Sequence, residues 1–206
     1  MPLWQNIQET IQPDADIGTK TSMQVKGTSL IATERFIKEQ FGTAGFEKFK
    51  AALSPEARAL FGATVLAPNW YPADPGFFEP MEKLCREFYG GDARGARELG
   101  RFSAVDGLRG VYRIFARMAS VDYVLRKTAN IFASYYRPGK MEVAHVTGRR
   151  ITLRMSGIAR VHPLFEARVC GWLEGAMEVC GETKFTVTVG KSPTKGDDYT
   201  EFLVAY

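Results

Sequence analysis

The sequence predicts an α+β fold, with N-terminal helices packed on a C-terminal antiparallel sheet of four to five strands. Three observations lead there. Helical apolar spacing runs through most of the chain before Pro138, and strand-like alternation appears after Gly139. The strands come as hairpins rather than alternating with helices.

The elements follow in order. Residues 1–20 carry Gln, Asp, Thr and Pro13 with little periodicity and read as a loosely ordered arm; residues 21–206 read as a single α+β domain. "SMQVKG" is a short strand. "TSLIATERFIKEQFG" starts at Thr28 or Ser29 and stops at Gly42, and "AGFEKFKAAL" is a second, shorter helix. "SPEARALF" opens with Ser54 as cap and Pro55 in the first turn. "GATVLAPNWYPADPG" holds three prolines and reads as a long ordered loop. Phe77, Met81, Leu84, Cys85 and Phe88 then follow helical spacing up to Gly90. Asp92 caps the next helical stretch. Its glycines, Gly95, Gly100, Gly107 and Gly110, imply either close helix–helix approach or a break near Gly100–Ser103. Ser120 caps a helix expected to continue to Tyr136. "KMEVAHV" and "RITLRMSG" form a hairpin through "TGRR". A helix follows with Phe165, Val169, Trp172, Leu173, Ala176 and Cys180 on one face, ended by Gly181. "TKFTVTVG" and "YTEFLVAY" are the last two strands.

The totals exclude several classes. The chain has 206 residues, 45% apolar and 24% charged, which is ordinary for one globular domain. No apolar run reaches the roughly 20 residues of a membrane span, and the N-terminus has no secretory pattern. Three cysteines, Cys85, Cys170 and Cys180, fit buried thiols in a reducing compartment, so a cytoplasmic location is expected. A net charge of +4 without a Lys/Arg block does not imply nucleic acid.

The segment "VGKSPTKGDD" invites a phosphate-loop reading and fails it. Such a loop needs glycine five positions before Gly190, where Phe185 stands, and a helix after Ser192, where Pro193 and turn residues follow. It reads as a hairpin connection. The two histidines, His145 and His162, lie on separate elements with no zinc-ligand spacing. Asp14/Asp16 and Asp197/Asp198 fall in expected loops, where such pairs form turns. No metal or cofactor is expected from these motifs.

The remaining signal is aromatic: fourteen Phe, eight Tyr and three Trp. A filled core is the ordinary meaning. The functional reading is an apolar pocket walled by Trp70, Tyr71, Tyr112, Phe115, Tyr135 and Trp172, with Arg113 pairing an anionic head group. Arg109 and Arg113, four apart, share a helical face.

Together "GTSLIATERFIKEQFG", "LSPEARALF", "NWYP", "LGRFSAVDGLRGVYRIFARM", "GWLEGAMEVCG" and "KGDDYTEFLVAY" resemble a paralogous family of myxobacteria and their relatives, over residues 23–206. That family is distantly similar to 4-vinyl-reductase-type domains, haem-NO-binding-associated proteins and TRAPP subunits. The resemblance implies a compact α+β domain with an apolar interior, often dimeric, in sensory or scaffolding roles. Where related domains carry cysteine after Gly-Asp, this chain has Tyr199 and Thr200, which argues against a thiol-based role there.

The expected function is therefore a non-enzymatic module for a small hydrophobic ligand or a regulatory protein partner. The alternatives are a dimeric signalling scaffold with a filled core, or a hydrolase-like enzyme using His162. No nucleic acid is expected as a partner.

Overall fold

The computed structural model describes residues 22–107, 120–158 and 161–206. Strand β1 (Gln24–Lys26) runs directly into α1 (Gly27–Ala52). The two helices expected either side of Gly42 adjoin at a kink within this span, where Gly42 adopts the non-helical φ 70° and ψ −176°, a conformation open to glycine. Helix α2 (Pro55–Gly62) begins as expected, with Ser54 Oγ accepting from the Ala57 amide at 3.2 Å.

The stretch expected to be a loop is more structured. Trp70–Pro72 forms β2, and Asp74–Phe78 winds into a π-helical turn that leads into α3 (Glu79–Tyr89). Gly90 closes α3 in the left-handed conformation (φ 62°). Helix α4 (Arg94–Gly107) is continuous through Gly100–Ser103, so the glycines there serve close approach rather than a break. Ser120 caps α5 (Val121–Ile131) through a bond from the Tyr123 amide. This helix stops short of Tyr136: a 3₁₀ turn (Phe132–Ser134) hands the chain to β3 (Tyr136–Arg137), which pairs with β1. The pairing partner, distant in sequence, overrides the local helical period.

The C-terminal half follows the alternation. β4 (Lys140–Thr147) and β5 (Arg150–Ser156) form a hairpin, α6 (Pro163–Val179) follows, and β6 (Thr186–Lys191) and β7 (Thr200–Ala205) form the second hairpin. The sheet order is β4-β5-β7-β6, all antiparallel, with Val187 opposite Val204 and Val189 opposite Phe202. A second, three-stranded sheet has the order β2-β1-β3. Gly190 lies within β6, and Ser192 caps a 3₁₀ turn (Pro193–Lys195). That is the hairpin connection, not a phosphate loop.

The inward positions of the large sheet, Ile151, Leu153, Met155, Val187, Phe202 and Val204, are buried and belong to the same apolar core as the helices. Among the described residues no helix is long and apolar enough to cross a membrane.

Candidate functional site

Helix α6 crosses the middle of the molecule and makes two different contacts. One is with α4. Gly171 and Gly175 of α6 meet Gly100 and Ala104 of α4 so closely that a Cβ on Gly171 would lie 1.8 Å from Arg97 O, and one on Gly100 would lie 2.0 Å from Arg168 O. Ion pairs flank this seam. Arg97 forks onto Glu174 (Nε–Oε2 3.0 Å, Nη2–Oε1 2.6 Å) and also donates to Val187 O at 2.8 Å. Arg101 Nε donates to Glu178 at 2.9 Å.

The N-terminal turns of α6 carry Phe165 and Arg168, which meet the aromatic cluster and α1. Phe165 sits in an aromatic cluster drawn from three separate segments: Phe77 and Phe78 of the π-helical turn, and Phe132 and Tyr136 around β3. Ring centroids are 5.3 Å apart for Phe77–Phe165, 5.0 Å for Tyr136–Phe165 and 4.9 Å for Phe132–Tyr136. The Arg168 guanidinium lies over the Phe77 ring at 4.5 Å. Its hydrogen bonds are long and go to neutral oxygens of α1: Ser29 O at 3.3 Å and Thr33 Oγ1 at 3.5 Å. Arg168, Ser29 and Thr33 are all buried. Burial pulls the guanidinium below its ordinary range, against the opposing influence of Tyr136. Burial likewise pushes the Tyr136 phenol up, so it stays neutral, and it is hydrogen-bonded to Ser29.

Glu166 is the second buried charge of α6. It accepts from Thr200 Oγ1 at 2.7 Å. It lies two residues from Arg168, a spacing that puts the two side chains on different sides of the helix.

Of the residues expected to wall a pocket, the described ones, Trp70, Tyr71, Tyr135 and Trp172, fall in two areas. Trp70 is held between Lys26 and Arg137, each 4.2 Å from its ring. The Tyr71 hydroxyl accepts from the Leu66 amide at 2.9 Å, and Tyr135 is exposed beside β3. These three border the small sheet. Trp172 is half-buried on α6, and its amide lies 2.9 Å from where a Gly100 Cβ would be. Tyr112, Phe115 and Arg113 lie outside the described residues, as does Arg109. The buried cation that the pocket reading did not single out is Arg168. Its signal is its spacing: it falls three after Phe165 and four before Trp172, inside the apolar face of α6.

His162 is the N-cap of α6. Its Nδ1 accepts from the Leu164 amide at 3.1 Å, and its Nε2 lies 3.4 Å from Glu82 Oε1. With Nδ1 as acceptor, Nε2 carries the proton, so neither nitrogen keeps a free lone pair for general-base work. His145 sits on β4 with Nε2 2.7 Å from Thr147 Oγ1. A shallow depression of about 200 Å³ is lined by Glu56, Asp74, Phe78, Glu79 and Glu82, but both Glu79 oxygens are engaged by Ser54. Among the described residues no group of three His, Cys, Asp or Glu is arranged to hold a metal.

Helices followed by a four-stranded antiparallel sheet, with α6 between the two hairpins, define the class: this is the fold of haem-NO-binding (H-NOX) domains. The chain is similar to an H-NOX protein from S. oneidensis in the Fe(II)NO ligation state, with a TM-score of 0.67 and 13% identity over 87% of this chain and 97% of that one. It is similar to an Fe(II) unliganded H-NOX protein from K. algicida (TM-score 0.64, 12% identity, 87% and 95% covered). A third is the IWP-051-bound H-NOX from Shewanella woodyi in the Fe(II)CO state (TM-score 0.63, 14% identity, 87% and 93% covered). No protein-family model and no curated protein matches the sequence. At these identities the likeness establishes the fold alone.

Haem can be tested against the side chains of this chain. Haem iron takes its axial ligand from His, Cys, Met or Tyr. Both histidines are committed at element surfaces, as above. The polar group beside the Phe77 ring is a guanidinium, which has no lone pair to offer iron. The rings around it already touch one another. Among the described residues neither histidine is placed to ligate haem iron at this cluster.

Proposed function

We propose that this chain is a non-enzymatic sensory or regulatory module that uses the H-NOX fold without haem and responds to a small, largely apolar ligand. The observation that carries the reading is the buried cluster of Phe77, Tyr136, Phe165 and Arg168. It is an apolar aromatic enclosure with one oriented polar group, the composition typical of small-molecule sites. Support for a sensory role comes from the fold, whose solved examples bind NO or CO at ferrous iron.

The test is titration with haemin under reducing conditions, followed by CO. The expected result is no stoichiometric Soret band and no CO difference spectrum. A one-to-one complex with a shifted Soret band would overturn the haem-free reading. Native mass spectrometry of freshly purified protein then checks for a small molecule carried along.

A second reading, a scaffold with a filled core acting as a homodimer or with a protein partner, draws on the mutual ring packing in the same cluster. It requires a dimer patch burying more than about 1,000 Å². A monomer by light scattering at micromolar concentration would count against it.

A further inference from the structure

We infer that Arg168 is the anchor of a binding site for an apolar carboxylate, with Ser29, Thr33 and Tyr136 as its neutral polar companions. The inference names the ligand class for the sensory reading above and rests on it.

The argument begins with charge. Arg97, Arg101, Arg35 and Arg149 have side chains 39–65% exposed, and each reaches a carboxylate. Arg168 is 3% exposed, and no carboxylate pairs with it among the described residues. The pairing is thus inverted. These four solvent-screened arginines have carboxylate partners, while the buried Arg168 has none among the described residues. Removing a guanidinium from water costs several kcal/mol, and an opposite charge is the usual compensation. Here the compensation is the Phe77 ring face and two long bonds, to Ser29 O and Thr33 Oγ1. Five N–H donors in a planar fork are left with two weak acceptors.

The surroundings offset this positive charge only with neutral groups: a ring face, a carbonyl and a hydroxyl oxygen. Ser29 lies in the first turn of α1, whose amide end carries partial positive charge. Tyr136, the most exposed member of the cluster, is a neutral phenol able to donate. Glu166, the nearest carboxylate in sequence, is engaged by Thr200. A monoanion arriving here meets a bidentate fork, with the Thr33 hydroxyl, now donating to Ser29 O at 2.8 Å, and the Ser29-bonded Tyr136 phenol beside it.

The class of anion follows from the neighbours. A carboxylate matches the guanidinium fork. Leu30, Phe77, Phe165 and Tyr136 would surround its substituent, so the substituent is apolar or aromatic. A free inorganic anion shares the charge but gains nothing from the rings.

The experiment is calorimetric titration of the full chain with decanoate, with decanol, acetate and inorganic phosphate as parallel arms, and near-ultraviolet circular dichroism as a second readout. The expected result is saturable micromolar binding of decanoate with a change in the aromatic signal, and at least about tenfold weaker binding of the other three. Arg168→Met should abolish the decanoate response. Arg168→Lys keeps the charge without the fork and should weaken it at least about tenfold, so it serves if the Met variant does not fold. Equal binding of decanoate and decanol, or undiminished binding by either variant, would overturn the assignment, as would no decanoate binding at all. Tight phosphate binding lost with Arg168 would also overturn it, in favour of a simple anion site. None of these outcomes touches the haem titration, so failure here and failure of the haem-free reading are distinguishable.

Discussion

Two stretches of α6 solve the burial of charge in opposite ways. Towards α4 the helix offers glycine to the backbone and places Glu174 and Glu178 where Arg97 and Arg101 meet them at the rim. Backbone touches backbone, and each cation beside the seam has an anion. Towards α1 the helix offers Arg168 to a ring face and neutral oxygens. The first stretch has spent its electrostatic potential internally and has no room for anything else. The second retains a fixed charge in an apolar setting, an arrangement that costs stability and makes physical sense if something else supplies the anion. One helix thus carries a structural contact and a candidate recognition site on adjoining turns, Arg168 lying three residues before Gly171 and seven before Gly175.

The largest test of the structural side is Gly171→Val. A Cβ there would sit 1.8 Å from Arg97 O and 3.0 Å from Arg97 Cα, which are backbone atoms that cannot rotate away. The expected loss is at least about 3 kcal/mol, or roughly 6–12 °C in Tm for a chain of this size. Gly62→Ala is the control. Nothing lies within 4 Å of its Cβ position, and the change should leave stability within about 1 kcal/mol of the parent. Equal Tm values for the two variants would mean that α4 and α6 do not meet as described.

Next comes a contrast of sign. Arg168→Met removes an uncompensated interior cation and keeps most of its volume, so the ligand-free protein should be unchanged or more stable by up to roughly 4 kcal/mol. Arg97→Met removes a forked, half-exposed pair and a bond to Val187 O, and should cost about 1–2 kcal/mol. Urea titration of both variants without ligand gives the comparison directly. If both were destabilised alike, Arg168 would be an ordinary structural arginine and the contrast between the two stretches would collapse.

How much of this could be read from the chain depends on the range of the interactions involved. Ser54, Ser120, Gly90 and Gly181 act on their own turns, so the caps are legible. The two hairpins are legible because their pairing is local. The sheet β2-β1-β3 is not: it joins Gln24, Pro72 and Arg137 across more than a hundred residues, and it takes Tyr136 from a helix-like stretch. Gly100 is legible as a close-approach residue, but its partner Gly171 is not, because no local rule says which helix approaches. Arg168 is hidden for a similar reason. A charged residue on a helix ordinarily means solvent, and only its place between Phe165 and Trp172 contradicts that. The pocket reading turned to Arg113 and the N-terminal aromatics because burial of a charge is a tertiary fact.

The smallest expected effect is a pH dependence that reports on the structural side alone. Cys170 precedes Gly171, and burial pushes its thiol from 9.0 up to about 12, with Arg97 opposing and Glu174 and Glu166 adding to the rise. Its folded-state value is raised, so the sign is fixed. Below about pH 9 the thiol is neutral in both states and native stability is intact. Above that, the unfolded chain ionises first and stability falls until the folded thiol also titrates near pH 12. One such group contributes a slope of up to about 1.4 kcal/mol per pH unit. Burial also raises the Cys85 and Cys180 thiols, so the useful quantity is the difference between the parent and Cys170→Ala, measured by urea unfolding at successive pH values from 8 to 11. The variant should show the shallower decline, by up to that slope. Parallel curves would mean that Cys170 ionises as readily folded as unfolded, which requires water in the seam between α4 and α6 and would remove the sealed half of the contrast.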